Sequence, residues 1–427
     1  MFNVIKKKIS GKYGMAVSLL ASGAILGQGV VLLTAPVLTR IYSPDEFGVF
    51  ALYIGATSIM ASILCFRYEM AIPNARSSDV YGLVWLSIFI LVFMVLLSYI
   101  VVAIGWQSFD LYLTGGGSKV LVIAMVSGFL FMGLYQVFNF WGLRRRLYKE
   151  IAVSKLIQNT SMSLSQILLG VIGSGALGMV AGSAIGFVLS AWVLGRKVAN
   201  TKVVKWIKNA RVGRFIGLIS RYKKYPLYTF PSNFINSLSL AIVPFVLLFM
   251  FSAEVTGFYA IAHRVMVAPV SLIAVSIGQA FWGEASKSIR VDNANFKEIF
   301  YKTQRNLLLY IAPMFIVFGL GVTYLFVLLF GEGWERAGDY ALILLCPLAL
   351  QIIVNPLASV MQIINKMEWP VFPDMLRLLL VIMAFVLASV FNFSDLYAIG
   401  IYSFVMFITY IMYACLFNFC VKRLGNT

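Results

Sequence analysis

Histidine is nearly missing from this chain of 427 residues, with His263 the single example. A zinc site built on histidines needs more than one such ligand and is excluded. Cysteine is scarce as well. Cys65, Cys346, Cys415 and Cys420 lie in apolar runs, and none forms a C-x-x-C pair, which leaves neither a disulfide framework nor a thiolate metal site. Charge is the larger deficit: Asp, Glu, Lys and Arg make up 12% of the residues, against about 25% in a soluble domain. There is no P-loop, no Gly-x-Ser-x-Gly and no metal-type carboxylate cluster. ATP hydrolysis by this chain is therefore excluded, and no cofactor is expected.

What is present is apolar. Hydrophobic residues account for 61% of the chain, and the mean hydropathy is +0.91. A soluble globule could not hide that much apolar surface, and disorder requires the opposite composition. The chain is read as an all-α membrane protein. Twelve runs are long enough to cross a bilayer, at roughly 13–38, 47–72, 80–104, 119–142, 151–172, 175–195, 227–250, 258–282, 304–330, 338–364, 371–391 and 396–420. The run at 151–172 carries Asn159 and Gln166, and that at 338–364 carries Pro347 and Pro356. Lys6, Lys7, Lys8 and Lys12 precede the first run in the manner of a signal peptide. The apolar stretch from Tyr13 to Leu38 is too long for one, so it is read as an uncleaved first span.

Basic residues outnumber acidic ones 34 to 16, a net charge of +18. With a cytoplasmic N-terminus, 30 of the 34 fall on inside segments, leaving Arg40, Lys119, Arg264 and Arg336. That asymmetry is the topological signature of an even number of spans with both termini cytoplasmic. Charge spread over every inside loop also argues against nucleic acid as a partner. The long connection at 196–226 mixes Trp206, Ile207, Phe215, Ile216, Leu218 and Ile219 with ten basic residues. It is expected to be partly helical and to lie on the anionic inner leaflet. It divides the chain into a six-helix bundle at 1–198, a basic linker at 199–226 and a second six-helix bundle at 227–427.

The two halves resemble each other. Ser43, Asp45, Gly48, Phe50 and Ala51 follow span one; Ser252, Glu254, Gly257, Tyr259 and Ala260 follow span seven, at a constant offset of 209. Each set occupies a short outside turn, with the acid expected to cap the next helix. Six spans per repeat is even, so the repeats run parallel, as in transporters that alternate access about a central site.

Ionisable groups in apolar spans are costly and mark candidate sites. Arg67 and Glu69 sit near the inner end of span two; at i,i+2 on one helix they would face different sides, so no direct pair is expected. Arg264 lies in span eight on the outer half and suits bidentate binding of an anionic head group. His263 beside it is a packed residue or a proton relay. Gln279 and Glu284 close span eight, and Glu284 is either a protonatable coupling group or a solvated helix end. Arg305, Asp374 and Arg377 are placed at cytoplasmic ends, with Arg377 three residues after Asp374 as a local pair requires. Pro36, Pro226, Pro231, Pro244 and Pro269 are candidate bending points. Gly173-Ser-Gly175-Ala-Leu-Gly178 matches G-x-G-x-x-G literally, but no strand precedes it. With Gly170, Gly182 and Gly186 it reads as close helix packing.

Several blocks carry a resemblance: Thr39-Arg40-Ile-Tyr42-Ser-Pro-Asp-Glu-Phe-Gly48, Arg67-Tyr-Glu69-Met-Ala-Ile, Tyr225-Pro226-Leu-Tyr228-Thr-Phe-Pro231-Ser-Asn233, the turn from Ser252 to Arg264, Ala268-Pro269-Val-Ser271, and Gly278-Gln279-Ala-Phe-Trp-Gly-Glu284. Together they resemble the O-antigen and polysaccharide flippases of the multidrug/oligosaccharidyl-lipid/polysaccharide exporter superfamily. The resemblance implies twelve transmembrane helices in two six-helix bundles forming a V around a cationic central cavity. It implies a non-enzymatic flippase of the bacterial inner membrane that carries undecaprenyl-diphosphate-linked oligosaccharide to the periplasmic leaflet. An H+ or Na+ gradient would drive it, among membrane lipids and with polysaccharide polymerase and chain-length machinery as further partners. By block position, Arg67, Arg264, Arg305, Arg377, Tyr228 and Gln279 would bind substrate, and Glu69, Glu284 or His263 would couple the ion. Two alternatives stand beside it. A multidrug cation antiporter of the same superfamily should place acids in its spans, whereas the intramembrane charges here lean basic. A membrane-embedded polymerase or ligase should have a catalytic outside loop, and these loops are short. A lipid II flippase is chemically close, but that family usually has fourteen spans.

Overall fold

In hydrocarbon a backbone can satisfy its polar groups internally only as a helix or a closed barrel. The described regular elements are accordingly all helical in the computed structural model of this protein, which describes residues 12–105, 119–199, 203, 212–288, 293–364, 366 and 369–424. In chain order they are α1 (Lys12–Ile41), α2 (Pro44–Ile63), a 3-10 segment (Tyr68–Asn74), α3 (Val80–Ile104), α4 (Lys119–Arg144), α5 (Tyr148–Val171) and α6 (Gly175–Ala199). Then come α7 (Val212–Arg221), a π turn (Tyr225–Thr229), α8 (Phe230–Met250), α9 (Ala253–Ser288), α10 (Asn293–Asn306), a second π turn (Leu307–Ile311), α11 (Ala312–Leu320) and α12 (Val322–Phe330). The chain ends with a 3-10 turn (Glu332–Trp334), α13 (Glu335–Ile343), α14 (Leu345–Leu357), α15 (Val360–Ile363), α16 (Val371–Val390) and α17 (Asp395–Arg423).

Ten of these helical stretches are long and apolar enough to cross a membrane, and eleven if the pair Glu332–Ile343 and Leu345–Leu357, bent by 53°, is one span. The expected run at 151–172 is the one that falls short. It does form a helix, α5, of 24 residues, but its polar side chains lower its hydropathy, and they face inward. Ser154, Gln158, Asn159, Ser163 and Gln166 are all buried. Ser163 accepts a hydrogen bond from Thr34 of α1 at 3.1 Å. The Gln166 side-chain amide donates to the Met179 carbonyl at 2.9 Å, and the Gln166 backbone carbonyl accepts from the Tyr42 hydroxyl at 2.7 Å.

Such a polar seam closes only if the backbones come near, and small residues permit that. A Cβ added to Gly23 of α1 would stand 2.6 Å from the Ala152 backbone, and one on Gly27 would stand 2.7 Å from the Asn159 amide. On α6, Gly178, Gly182 and Gly186 recur every four residues. Added Cβ atoms at the latter two would lie 2.9 Å from the Gln166 nitrogen and 2.8 Å from the Gln158 carbonyl oxygen. The glycines between α5 and α6 therefore pack helices, as their spacing suggested. Gly173 and Gly175 turn the chain at φ +80° and +56°, a conformation glycine adopts without strain.

The two matched turns both form, with one correction. The caps are the serines rather than the acids. Ser43 closes a capping box with Glu46 at the head of α2, and the Ser252 hydroxyl accepts the Val255 N–H at 3.1 Å at the head of α9. Asp45 and Glu254 sit one step inside, in the first helical turn, where their charge complements the helix dipole.

Two compact units are present, Met1–Ala241 and Ile242–Thr427. The division falls within α8 because its first turns pack on the first unit: Phe230 meets Phe66 edge-to-face at 5.3 Å, and Ser237 meets Ser62 at 2.9 Å. The long connection is partly helical, as α7, while Trp206 and Ile207 lie outside the described residues, as do Gly115–Gly117 and the lysines before Lys12. Phe215 of α7 packs on Phe89 of α3 at 5.5 Å, and Ile216 and Ile219 remain exposed.

The glycine stripe yields a direct expectation. Gly182→Val should cost about 1–3 kcal/mol through overpacking against backbone, read as a lower thermal unfolding midpoint in detergent. Gly217→Ala, with open space around the added Cβ, should leave the midpoint unchanged or slightly raised.

Candidate functional site

Span two ends earlier than its composition implies. The apolar run continues, but α2 stops at Ile63, and Phe66 and Arg67 take φ of +45° and +61°. Consecutive non-glycine residues in the left-handed region are strained, and such strain concentrates at functional positions. The chain then enters the 3-10 segment, which buries Tyr68, Glu69, Ala71 and Ile72 and ends beyond Pro73.

This break corrects the expectation that Arg67 and Glu69 face apart. With Arg67 outside any helix, its Nη1 lies 3.7 Å from Glu69 Oε1. The Arg67 side chain is 12% exposed and the Glu69 side chain 1%. The pairing is loose. Neither carboxylate oxygen of Glu69 has a hydrogen-bond partner, nor does Arg67 Nε, and Arg67 Nη2 reaches Ser62 Oγ only at 3.4 Å. Ser62 in turn contacts Ser237 at 2.9 Å, and the Asn233 amide donates to the Thr229 carbonyl at 2.8 Å. The C-terminal end of α2 and the first turns of α8 thus bring polar groups together beside one guanidinium. Burial drives the Glu69 carboxyl up to about 7, with Arg67 pulling the other way. Burial likewise lowers Arg67, and Glu69 opposes that shift.

This cluster is braced from three sides. Arg144 at the end of α4 donates to the Pro73 carbonyl at 2.8 Å. The Tyr68 hydroxyl reaches the Ile219 carbonyl of α7 at 3.4 Å. Asp79, at the head of α3, accepts from Arg221 at 2.7 Å and from Tyr222 at 3.1 Å. Burial works against ionisation of Asp79, but hydrogen bonds from Arg221, Ser78 and Tyr222 outweigh it and hold its pKa below the ordinary value. Trp85 donates to the Val203 carbonyl at 2.8 Å, so the linker is fastened to α3 at both ends of its described part.

In the second unit the other candidates separate. Arg377 is buried and pairs with Asp374 at 2.8 Å, the i,i+3 contact its spacing suggested. Asp374 also accepts from Tyr413 at 2.5 Å, so both its arginine and a tyrosine hold this carboxylate. Arg264 is half-buried on α9. His263 stacks on Tyr259 with ring centres 5.6 Å apart, which favours the packed reading over the relay. Arg305 ends α10 exposed, and Glu284 is exposed on α9. Tyr228 lies on the first π turn and Gln279 on α9, and their side chains lie outside the described residues. Sequence reasoning missed Ser62, Asn233 and Ser237, ordinary polar residues until the break in α2 gathers them around Arg67. It also missed the bidentate pair of Arg336 with Asp395, at 3.0 and 2.7 Å, to which Tyr340 adds a short hydrogen bond.

A buried carboxylate with an elevated pKa costs the folded state nothing below about pH 4.5, where folded and unfolded chains both carry the proton. The cost grows to its full size above about pH 7, where folding must bury the charge. Removing the charge in Glu69→Gln should therefore raise the unfolding midpoint at pH 8.5, by about 3 kcal/mol in stability, and leave it close to wild type at pH 4.5. Thermal unfolding in detergent at the two pH values measures this.

Comparison with known proteins places this architecture. The fold is similar to that of the lipid II flippase MurJ in its inward closed conformation, with TM-score 0.75 and 13% identity over 95% of this chain and 87% of that one. It is also similar to an inward-facing MATE multidrug resistance transporter of the MOP superfamily, with TM-score 0.57 and 16% identity over 96% and 95% of the two chains. A MOP superfamily transporter from Pyrococcus furiosus, described by a reversed polarity of its binding pocket, matches with TM-score 0.58 and 13% identity over 98% of each chain. Among curated protein sequences none matches. The family model described as polysaccharide biosynthesis protein covers residues 37–339, a stretch that holds α2 to α12, both serine caps and the Arg67 cluster. The chain thus belongs to the polysaccharide biosynthesis protein family, and its fold is similar to those of these transporters.

Proposed function

We propose that this protein is a flippase that moves undecaprenyl-diphosphate-linked oligosaccharide from the cytoplasmic to the periplasmic leaflet of the bacterial inner membrane, driven by an H+ or Na+ gradient. The observation that carries the reading is the under-bonded Arg67, held beside polar groups at the C-terminal end of α2 in a chain of the polysaccharide biosynthesis family. A diphosphate crossing hydrocarbon unaided meets a prohibitive desolvation cost, and a guanidinium with open donors answers it bidentately. No bond changes in such a transfer, so no nucleophile or general acid is required. The structural similarity to a lipid II flippase supports the same reading.

In this proposal Arg67 and Arg264 are each substrate-binding residues of their own unit and exposed Arg305 belongs to the cytoplasmic mouth, while Arg377 is engaged by Asp374. The polar-faced α5 counts as a twelfth span, which gives two bundles of six at 1–198 and 227–427 joined by the linker. Both termini are then cytoplasmic. Reporter fusions at residues 1 and 427 should each be active only in the cytoplasmic form.

The decisive experiment is deletion of the gene followed by mass analysis of lipid-linked oligosaccharide with leaflet-selective labelling. Complete repeat units should accumulate, inaccessible from the periplasm; failure to accumulate would sink the proposal. Arg264→Ala should abolish complementation at normal membrane levels, and Arg264→Lys, which keeps the charge and loses the fork, should restore it only in part.

A further inference from the structure

Among the described residues, the other arginine–carboxylate pairs are all tighter than that of Arg67 with Glu69. Arg377 meets Asp374 at 2.8 Å, and Arg336 grips Asp395 with two donors at 3.0 and 2.7 Å. Those carboxylates are also bonded by tyrosine hydroxyls, Tyr413 and Tyr340. Arg67 stands 3.7 Å from a carboxylate whose two oxygens are buried and lack hydrogen bonds. A buried charge left that poorly satisfied costs stability, and the backbone that presents it is strained at Phe66 and Arg67. A tight structural pair would have needed neither feature. The contact is built to be exchanged.

We propose that Glu69 is a built-in competitor for the anionic head group: it holds Arg67 while the site is empty, and takes up a proton when a diphosphate displaces it. This rests on the flippase reading above. The exchange balances. The guanidinium gives up one carboxylate and gains a phosphate oxygen pair. The abandoned carboxylate, buried with neither oxygen hydrogen-bonded, binds one proton from water and becomes neutral. Each head group bound thus carries one proton into the protein, and release of the head group returns it.

The surroundings favour Glu69 as the responding group. The 3-10 segment packs against α3, α4 and the first π turn, and Tyr68 reaches α7. Several of the charged and titratable groups these elements bring are engaged elsewhere. Arg144 is on the Pro73 carbonyl, and Arg145 is on the Tyr81 hydroxyl at 3.0 Å. Asp79 holds Arg221 and Tyr222, and Tyr222 also accepts from the Arg76 N–H at 3.2 Å. Tyr225 is half-buried on the π turn, and Lys223 and Lys224 are exposed. Cys65 lies buried two residues before Arg67. Among the described residues Arg67 is the cation paired with Glu69. Burial places the Glu69 carboxyl at about 7, so its proton equilibrium falls in the physiological range.

The test uses the full chain in detergent and farnesyl-diphosphoryl-N-acetylglucosamine, a diphosphate diester that stays doubly charged from pH 6 to 8.5. Calorimetry in two buffers of different ionisation enthalpy reads affinity and proton uptake together. Affinity should weaken about thirtyfold from pH 6 to 8.5, with a midpoint near 7 and about half a proton taken up per ligand at that pH. Glu69→Gln should lose both the pH dependence and the uptake and bind at pH 8.5 as wild type does at pH 6; Arg67→Ala should bind weakly at every pH. A wild-type profile that is flat, or that shows no proton uptake, overturns the proposal whether or not Glu69→Gln folds. So does a profile that persists in Glu69→Gln and disappears in His263→Asn. Wild type that fails to bind the probe at any pH defeats the flippase reading itself, a result distinct from binding without proton uptake.

Discussion

A guanidinium and a carboxylate buried together, but not bonded well enough to repay their desolvation, are the constraint on which the first unit is organised. To bring Arg67 and Glu69 within reach, α2 ends at Ile63 and the chain passes through two left-handed residues. To hold that strained turn, α4 sends Arg144 to Pro73, α7 receives Tyr68, and α8 lays its first turns against Ser62 and Phe66. These contacts carry no obvious purpose taken singly. Together they keep a costly arrangement from relaxing into an ordinary helix end.

The linker belongs to the same construction. Asp79, Arg221 and Tyr222 tie α7 to the head of α3, and Phe215 seats it on Phe89. Its exposed Ile216 and Ile219 lie on a helix that also carries exposed Arg214 and Arg221, the composition of a segment at a lipid–water boundary. The connection between the halves is thus a packed part of the first unit along its described length.

How far the sequence disclosed this depends on the range of the interaction. Contacts within one helical turn were readable: Asp374 and Arg377 pair at 2.8 Å as their spacing required, and the glycines of α6 pack as their four-residue rhythm suggested. The capping turns were found by their offset of 209, though the acid was credited with the work of the serine, because both residue types favour helix starts. The break at Phe66 was not readable, since an apolar run has the same composition whether or not its backbone turns left-handed. Everything dependent on that break was hidden with it, including the Arg67–Glu69 contact and the role of Ser62. Arg336 and Asp395 stand 59 positions apart, and no local pattern anticipates such a meeting; only the packing of α13 on α17 creates it.

The inward polar face of α5 has a consequence for how the protein is made. A segment bearing Lys155, Gln158, Asn159 and Gln166 gains too little from leaving water to partition into lipid alone. The Gln166 amide finds partners on α6, through Met179 and Ser183, and the Ser163 hydroxyl finds one on α1. The segment must therefore wait at the translocon until α6 has been synthesised, and enter the bilayer with its partner. Lesions in the α6 glycines would then surface first as faulty biogenesis, with chains cleared by quality control before any of them meets a glycolipid.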